Sequence, residues 1–173
     1  PDGTSEKTAL PNVTVSSFTE DMDDHTIWVG TYSDGLFQMS SPHQYKAYNI
    51  GNGLSPTNNA WRVIADNSQH IWCASPIHPL VRLNTQTGQW EGMKDEQGDH
   101  IYGMDFRLDR RGNLLIASTY GLVIHDNKTG KTRRYTTNLS GTQEMKVKTA
   151  VALCYDAKRD LLLMGHKQGL TLF

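Results

Sequence analysis

IWVGTYSDGLFQM, residues 27–39, combines an alternating apolar stretch, a polar turn with a glycine and the start of a second strand. Three later stretches repeat it: IWCASPIHPLVRL from Ile71, LLIASTYGLVIHD from Leu114 and LLMGHKQGLTLF from Leu162. The small residues that end the first strand of these stretches, which is the second strand of each copy, are 44, 43 and 48 residues apart, and they are Gly30, Ala74, Ala117 and Gly165. A period of this length indicates a repeat architecture in which each copy is one structural unit.

The sequence pattern of each copy predicts four strands. An alternating segment precedes the quoted stretch, and these segments are VSSFTED from Val15, WRVIADN from Trp61, YGMDFRLD from Tyr102 and AVALCYDA from Ala150. Glycine opens the third strand in three copies, at Gly35, Gly121 and Gly169, where a tight turn needs a positive φ. A more polar fourth strand follows over residues 44–50, 89–93 and 131–136, and the last copy stops inside its third strand.

Four strands that become more polar from the second strand outward are typical of a propeller blade, whose outer strand faces water. The sequence therefore predicts an all-β fold, a β-propeller fragment of four blades of four-stranded antiparallel sheet with the last blade incomplete. Residues 1–12 read as a lead-in or linker. The predicted blades cover about residues 13–58, 59–99, 100–147 and 148–173.

The charge balance argues against a nucleic-acid partner. Seventeen basic and eighteen acidic side chains give a net charge of −1, so no overall field attracts a polyanion. The basic residues near the end of the third copy are expected to form a solvated surface, and they are Lys128, Lys131, Arg133 and Arg134.

The cysteines and histidines show no metal-ligand spacing. Cys73 and Cys154 lie in apolar strand-like runs without a CxxC pattern, which predicts two small buried side chains. No two of the seven histidines stand at i,i+2 or i,i+4. We therefore expect neither a metal site nor a cofactor.

Two further groups invite a functional interpretation and are better explained by structure. Trp28 and Trp72 share one repeat position with Leu115 and Leu163, which favours core packing between blades over an aromatic binding row. The acid pairs 20–21 and 23–24 resemble the carboxylates of a glycosidase, but adjacent strand residues point to opposite faces. A role in turns is expected for both pairs.

The first copy resembles the two-component regulator propeller repeat, a family of bacterial sensor proteins. The matching residues are Phe18-Thr19-Glu20-Asp21, Ile27-Trp28-Val29-Gly30-Thr31, Gly35-Leu36, the segment from Tyr45 to Tyr48, and Gly53-Leu54-Ser55-Pro56. Of the Ile-Trp-Val-Gly-Thr segment in the first copy, the second copy keeps only Ile71-Trp72. The third and fourth copies have Leu115 and Leu163 instead of Trp.

This resemblance implies a ligand-binding sensor domain in the periplasmic part of an inner-membrane two-component regulator, where such propellers detect glycan fragments. It also implies about seven blades, so that the partners of this chain would be an oligosaccharide or another small molecule and the remaining blades of a longer protein. Self-association through open edges is a further expectation. No catalytic residue and no enzymatic activity are expected within this chain.

Propeller topology places a binding site at one end of the blades. The loops from the second to the third strand and the links between blades emerge on the same face. Aromatic rings with amides, imidazoles and a carboxylate suit sugar recognition. The predicted ligand-binding residues are Tyr32, Asp34, Asn59, Trp61, His78, Tyr102, Tyr120 and His166.

Two alternatives remain open at the level of sequence. A propeller glycoside hydrolase or polysaccharide lyase would need convergent acid–base groups, which only Tyr32, Asp34, His78 and His166 could supply on that face. A protein-interaction scaffold would need an apolar outer face, and the polar fourth strand of the third copy argues against it.

Overall fold

The computed structural model describes residues 10–66, 68–135 and 149–173. These residues form fifteen strands in four separate antiparallel sheets and contain no helix. None of them, accordingly, forms a helix long and apolar enough to cross a membrane. The predicted β-propeller fragment with an incomplete last blade is confirmed.

The sheets follow one another along the chain, and each is a meander with strands in sequence order. Sheet 1 contains β1 (Val15–Glu20), β2 (Ile27–Thr31), β3 (Leu36–Ser41) and β4 (Gln44–Tyr48). Sheet 2 contains β5 (Arg62–Ala65), β6 (His70–Ala74), β7 (Val81–Asn84) and β8 (Trp90–Gly92). Sheet 3 contains β9 (Gly103–Leu108), β10 (Leu114–Ser118), β11 (Gly121–His125) and β12 (Thr132–Tyr135). Sheet 4 contains β13 (Ala150–Asp156), β14 (Leu161–His166) and β15 (Gly169–Leu172).

One sheet lies within each predicted blade range, while the exact blade boundaries stay predictions. Residues 1–9 of the predicted lead-in lie outside the described residues, as do residues 136–148 of the predicted third blade and Asn67 in a predicted turn. The predicted positive φ is confirmed at Gly35 (96°), Gly121 (95°) and Gly169 (133°).

An aspartate stands at the end of the first strand of each sheet or directly after it, and it closes the turn to the second strand. Its Oδ1 accepts hydrogen bonds from one or two backbone N–H groups of the turn, and the four residues are Asp21, Asp66, Asp109 and Asp156. Such bonds mimic a backbone turn. Asp24 likewise accepts from the Thr26 N–H at 2.9 Å. The expected turn role of the acid pairs is therefore confirmed for Asp21 and Asp24.

Apolar cores lie between successive sheets. In the first, Trp28 and Leu36 of sheet 1 pack with Val63 and Cys73 of sheet 2. Trp72 occupies the same position in the core between sheets 2 and 3, and Leu115 does so between sheets 3 and 4. All three of these repeat-position side chains are buried, so their predicted core role is confirmed.

The small residue of the repeat marks a close approach between sheets. A Cβ atom built on Gly30 would collide with the Ala60 carbonyl oxygen and come within 2.8 Å of the Val63 Cγ1. Larger side chains are excluded there because the link after sheet 1 and the first strand of sheet 2 pass close to β2.

The prediction that both cysteines are buried is wrong for one of them. Cys73 is buried in the core between sheets 1 and 2, and burial raises the pKa of its thiol. Cys154 is exposed, because it pairs with Leu163 on the face of sheet 4 that points away from sheet 3. The apolar run was read correctly as a strand, but that face has no neighbouring sheet among the described residues.

Candidate functional site

The links between sheets meet the loops between second and third strands at one end of the array. Ala60 N–H donates to the Thr31 carbonyl oxygen at 3.0 Å, joining the link after sheet 1 to the end of β2. Leu80 N–H donates to the Ile101 carbonyl oxygen at 2.7 Å in the same way between sheets 2 and 3. The loops that carry the predicted site residues therefore share this end, which we call the loop end.

Tyr32 and Trp61 form the clearest feature of the loop end. Their rings make an edge-to-face contact with centroids 5.0 Å apart and planes at 74°. The Trp61 Nε1–H donates to the Tyr32 carbonyl oxygen at 3.0 Å, which fixes the indole across the boundary between sheets 1 and 2. Tyr32 is exposed and Trp61 is half-buried, so both rings are held in place while part of their surface faces solvent.

Polar side chains lie close to Tyr32 and Trp61 in the sequence. Asp34 is half-buried, its N–H donates to the Thr31 Oγ1 at 2.9 Å, and its carboxylate accepts from the Ser33 hydroxyl at 3.2 Å. Asn59 is half-buried, and its N–H donates to the Thr57 Oγ1 at 3.0 Å. These backbone bonds hold the loops that present the carboxylate and the amide.

Tyr120 occupies the corresponding loop of sheet 3 and has a different environment. The guanidinium of Arg134 lies 3.9 Å from its ring centroid, a cation–π contact. Arg134 also forms ion pairs with the buried Asp95 and, at 3.3 Å, with the exposed Asp99.

The interpretation of the basic stretch as solvated surface is therefore wrong for Arg134, whose side chain is only 18% exposed. Its carboxylate partner Asp95 precedes it by 39 positions and lies in the link between sheets 2 and 3. Neither charge clustering nor strand alternation indicates a contact at that separation.

The remaining predicted residues are not drawn into one cluster. His166 contacts Gln168 and Thr171 of its own sheet, with its Nε2 2.9 Å from the Thr171 Oγ1. His78 and Tyr102 are half-buried at the same end. Within the described ranges, no hydrogen bond or ion pair joins any two of the candidate acid–base groups Tyr32, Asp34, His78 and His166.

A cavity of about 570 Å³ lies away from the loop end, in a cleft between sheets 3 and 4. It is lined by the turns opposite the loop end and by the outer strands, including Arg111, Lys131 and Phe173. Tyr155 on its wall donates to Asp160 at 2.6 Å, and this bond raises the pKa of the phenol. The cleft borders sheet 4, which has three strands where sheets 1–3 have four.

No three His, Cys, Asp or Glu side chains come together as metal ligands would in the part of the chain that the structure describes.

Comparison with protein-family models finds a match at the start of the chain. Residues 9–33 match the family described as two component regulator propeller. The resemblance noted in the first repeat is thus confirmed over these residues. A search of the curated proteins finds no match.

Solved structures share the fold at low sequence identity. The extracellular domain of the putative hybrid two component system BT4673 from B. thetaiotaomicron is 20% identical, with a TM-score of 0.70, covering 96% of this chain and 22% of that one. The extracellular domain of the putative hybrid two component system BT3049 from the same organism is 14% identical, with a TM-score of 0.61, covering 91% and 26%.

A WD40 β-propeller domain, that of Doa1, is 10% identical with a TM-score of 0.66, covering 94% of this chain and 51% of that one. These likenesses show a propeller fold. The chain spans about a fifth to a quarter of the two bacterial structures.

Proposed function

We propose that this chain belongs to the extracytoplasmic sensor region of a bacterial two-component regulator and contributes part of its ligand-binding surface. The family match over residues 9–33 and the likeness to the extracellular domains of BT4673 and BT3049 support a sensor propeller. The periplasm is the proposed location. The chain spans 22% of the extracellular domain of BT4673, so the proposed sensor region would be longer than this chain, and a kinase or another output domain would lie beyond that region.

The Tyr32–Trp61 pair is the observation that carries the proposal. Two aromatic rings fixed by a 5.0 Å contact and a 3.0 Å hydrogen bond supply apolar area without a large loss of side-chain entropy on binding. The ring faces suit the C–H faces of a sugar, and Asp34 and Asn59 offer acceptors and donors for its hydroxyls. We therefore propose an oligosaccharide fragment as the ligand.

The Tyr32–Trp61 pair also provides a way for ligand binding to affect the arrangement of the sheets. Tyr32 follows β2 of sheet 1 and Trp61 precedes β5 of sheet 2, so a ligand on both rings contacts two blades at once. Its binding energy would favour the arrangement of sheets that presents both rings together. Tyr102, Tyr120, His78 and His166 would extend the surface over the following blades.

Calorimetric titration of a panel of oligosaccharides tests the proposal. Tyr32→Ala removes one ring but leaves the carbonyl oxygen that accepts from the Trp61 indole, so Trp61 keeps its hydrogen bond. We expect this variant and Trp61→Ala each to weaken binding by about 1–3 kcal/mol, roughly 5- to 150-fold.

Lys158→Ala, in the β13–β14 turn at the opposite end, is the matched control and should bind as the parent chain does. Circular dichroism must show the same fold for all three variants. Loss of binding in Lys158→Ala with retention in both ring variants would place the ligand at the opposite turns and contradict the proposal. Failure of the folded chain to bind any sugar of the panel would contradict the ligand class.

A further inference from the structure

Three charged side chains meet on the inner wall of the array. The first strands of successive sheets contact one another, as the innermost strands of a propeller do, and they form this wall. They carry five charged side chains, of which Glu20 and Asp156 stand at the turns opposite the loop end. The other three are Arg62 of β5 and Asp105 and Arg107 of β9. Sheets 2 and 3 each lie between two other sheets, so this part of the wall borders neither end of the chain.

The two arginines share one carboxylate. The Arg107 Nη1 donates to the Asp105 Oδ1 at 2.8 Å, and the Arg62 Nε lies 3.9 Å from the same oxygen. The other carboxylate oxygen, Oδ2, accepts from the Leu153 N–H at 3.0 Å. The Asp105 side chain is only 10% exposed, whereas each arginine side chain is 45% exposed. The three groups therefore carry one uncompensated positive charge, and it lies on their solvent side.

Much of the donor capacity of the two guanidiniums is unused. Arg62 donates from Nη1 to the carbonyl oxygens of Ser16 and Trp61, at 3.3 and 3.2 Å. Arg107 also uses Nη1, and one of its acceptors is the Phe106 carbonyl oxygen at 2.6 Å. Among the described residues, Nε and Nη2 of both arginines donate no hydrogen bond. A guanidinium presents its donors as a planar fork that matches the two oxygens of a carboxylate.

Arg62 stands where sheets 1 and 3 have a hydrogen-bond acceptor. In sheet 1 the Ser17 Oγ accepts from the Val63 N–H of the next sheet at 3.0 Å, and Asp105 does the same for sheet 4. A guanidinium has no acceptor atom, so Arg62 cannot make this bond between sheets 2 and 3. A residue that departs from a stabilising contact of the fold is expected at a functional site.

Arg62 also adjoins the proposed ligand surface at the loop end. It follows Trp61 directly in the chain, and the hydrogen bond to the Trp61 carbonyl oxygen holds the guanidinium beside that link. Asp34, the carboxylate of the surface, stands next to β3, two strands outward from the inner wall. A ligand on the Trp61 ring that extends toward the inner wall would therefore meet the arginines.

We propose that Arg62 and Arg107 bind a carboxylate, so that the oligosaccharide recognised at the loop end is an acidic one that contains a uronic acid. The carboxylate accepts from the unused donors of the two guanidiniums and compensates the positive charge that Asp105 leaves. The identity of the sugar rests on the proposed function, whereas the carboxylate site stands on the arginines alone.

NMR of the arginine Nε–H groups tests the carboxylate site. Glucuronate should shift the Arg62 and Arg107 resonances in a saturable way, and glucose, which has a hydroxymethyl group instead of the carboxylate, should not. Arg62→Gln removes one guanidinium and leaves Asp105 paired with Arg107, so the buried carboxylate keeps its partner. We expect this variant to bind glucuronate at least about 10-fold more weakly.

Arg159→Gln is the matched control, because Arg159 is an exposed arginine with its own carboxylate partner, Asp156, at the opposite turns. This variant should bind glucuronate as the parent chain does, and circular dichroism should show that both variants fold. Absence of saturable shifts in the parent chain would overturn the proposal. Unchanged binding in Arg62→Gln, or an equal loss in Arg159→Gln, would also overturn it.

Calorimetry with oligogalacturonides and their carboxyl-reduced, neutral forms separates this inference from the proposed function. The parent chain should bind the acidic form at least about 10-fold more tightly, and Arg62→Gln should remove most of that preference. Equal affinity for the two forms would overturn the inference and leave the proposed sugar sensor intact. Binding of glucuronate without binding of any oligosaccharide would contradict the proposed ligand and leave the carboxylate site intact.

Discussion

The carboxylate of Asp105 accepts a hydrogen bond from the backbone N–H of Leu153 across the boundary between sheets 3 and 4, with Oδ2 and N 3.0 Å apart. The equivalent residue of sheet 1, Ser17, accepts from the Val63 N–H of sheet 2 at 3.0 Å. Sheet 2 has Arg62 at this position, which cannot accept, and its Nε lies 3.9 Å from the Asp105 Oδ1. A side-chain acceptor thus joins first strands at two of three boundaries.

Replacing Asp105 should destabilise the chain mainly through the lost acceptor. Asp105→Ala leaves the buried Leu153 N–H unpaired and should lower the free energy of unfolding by about 1–3 kcal/mol. Asp105→Asn keeps a carbonyl oxygen for that N–H and loses the ion pair with Arg107, so its cost should be smaller. Urea denaturation measures both. Equal losses would show that charge, not the acceptor, stabilises this boundary.

Gly30 and Gly165 occupy one repeat position but should respond differently to substitution. A Cβ atom on Gly30 collides with the Ala60 carbonyl oxygen of the next blade link, whereas one on Gly165 meets only the Ala152 Cβ at 3.6 Å and its oxygen at 3.8 Å. Gly30→Ala should cost about 1–3 kcal/mol and Gly165→Ala about 0.5 kcal/mol or less. Thermal unfolding of the two variants provides the comparison. Similar destabilisation of the two variants would show that the close approach at Gly30 is not what selects glycine there.

The strands could be predicted from the sequence because their signals are local. Period-two alternation and a repeat of 43 to 48 residues place β2, β6, β10 and β14 within one residue of their observed starts. The burial of Trp28 and Trp72 followed from their shared repeat position. The exposure of Cys154 departed from this logic, as did Leu163, which is half-buried and belongs to none of the cores between sheets, because a repeat does not show which copy lacks a neighbour.

The site was less predictable because its contacts join distant parts of the chain. Topology brought Tyr32 and Trp61 to one end, but their edge-to-face contact spans 29 positions and depends on how two sheets pack. The stacking of Arg134 on Tyr120 also requires Asp95 to orient the guanidinium. No sequence pattern encodes such three-residue geometry.

His125 should make stability depend on pH. Its side chain is buried between sheets 2 and 3 with its ring 5.0 Å from that of Trp72, and Nδ1 lies 2.8 Å from the Thr132 Oγ1. Burial first, and then the charge of Arg82, lower the pKa of His125 to about 4, although Asp66, Asp126 and Glu91 act in the opposite direction. The unfolded chain therefore binds this proton more readily than the folded chain.

The stabilisation that comes from the neutral form of His125 should be fully present above a pH of about 6.5. The free energy of unfolding should then decrease as the pH falls toward about 4, by at most ~3 kcal/mol. Denaturation of the parent chain and His125→Gln across this range isolates the effect, since glutamine does not titrate. His25→Gln is the control, because its exposed imidazole has a pKa raised by the hydrogen bond to Glu20. An unchanged slope in His125→Gln would contradict the assignment.

The two repeat-position tryptophans offer a final test of what holds the blades together. Both are buried, but the Trp72 Nε1–H donates to the Asp66 Oδ2 at 2.7 Å, whereas the Trp28 Nε1 has no hydrogen-bond partner in the described part of the chain. Replacement by Phe removes similar apolar volume from each core. Only Trp72→Phe also takes a donor from a buried carboxylate, so it should cost about 1.5–3 kcal/mol more than Trp28→Phe in urea denaturation. A double-mutant cycle with Asp66→Asn should assign that excess to the pair. Equal losses of unfolding free energy in the two Phe variants would show that packing alone, and not the hydrogen bond, explains tryptophan at this position.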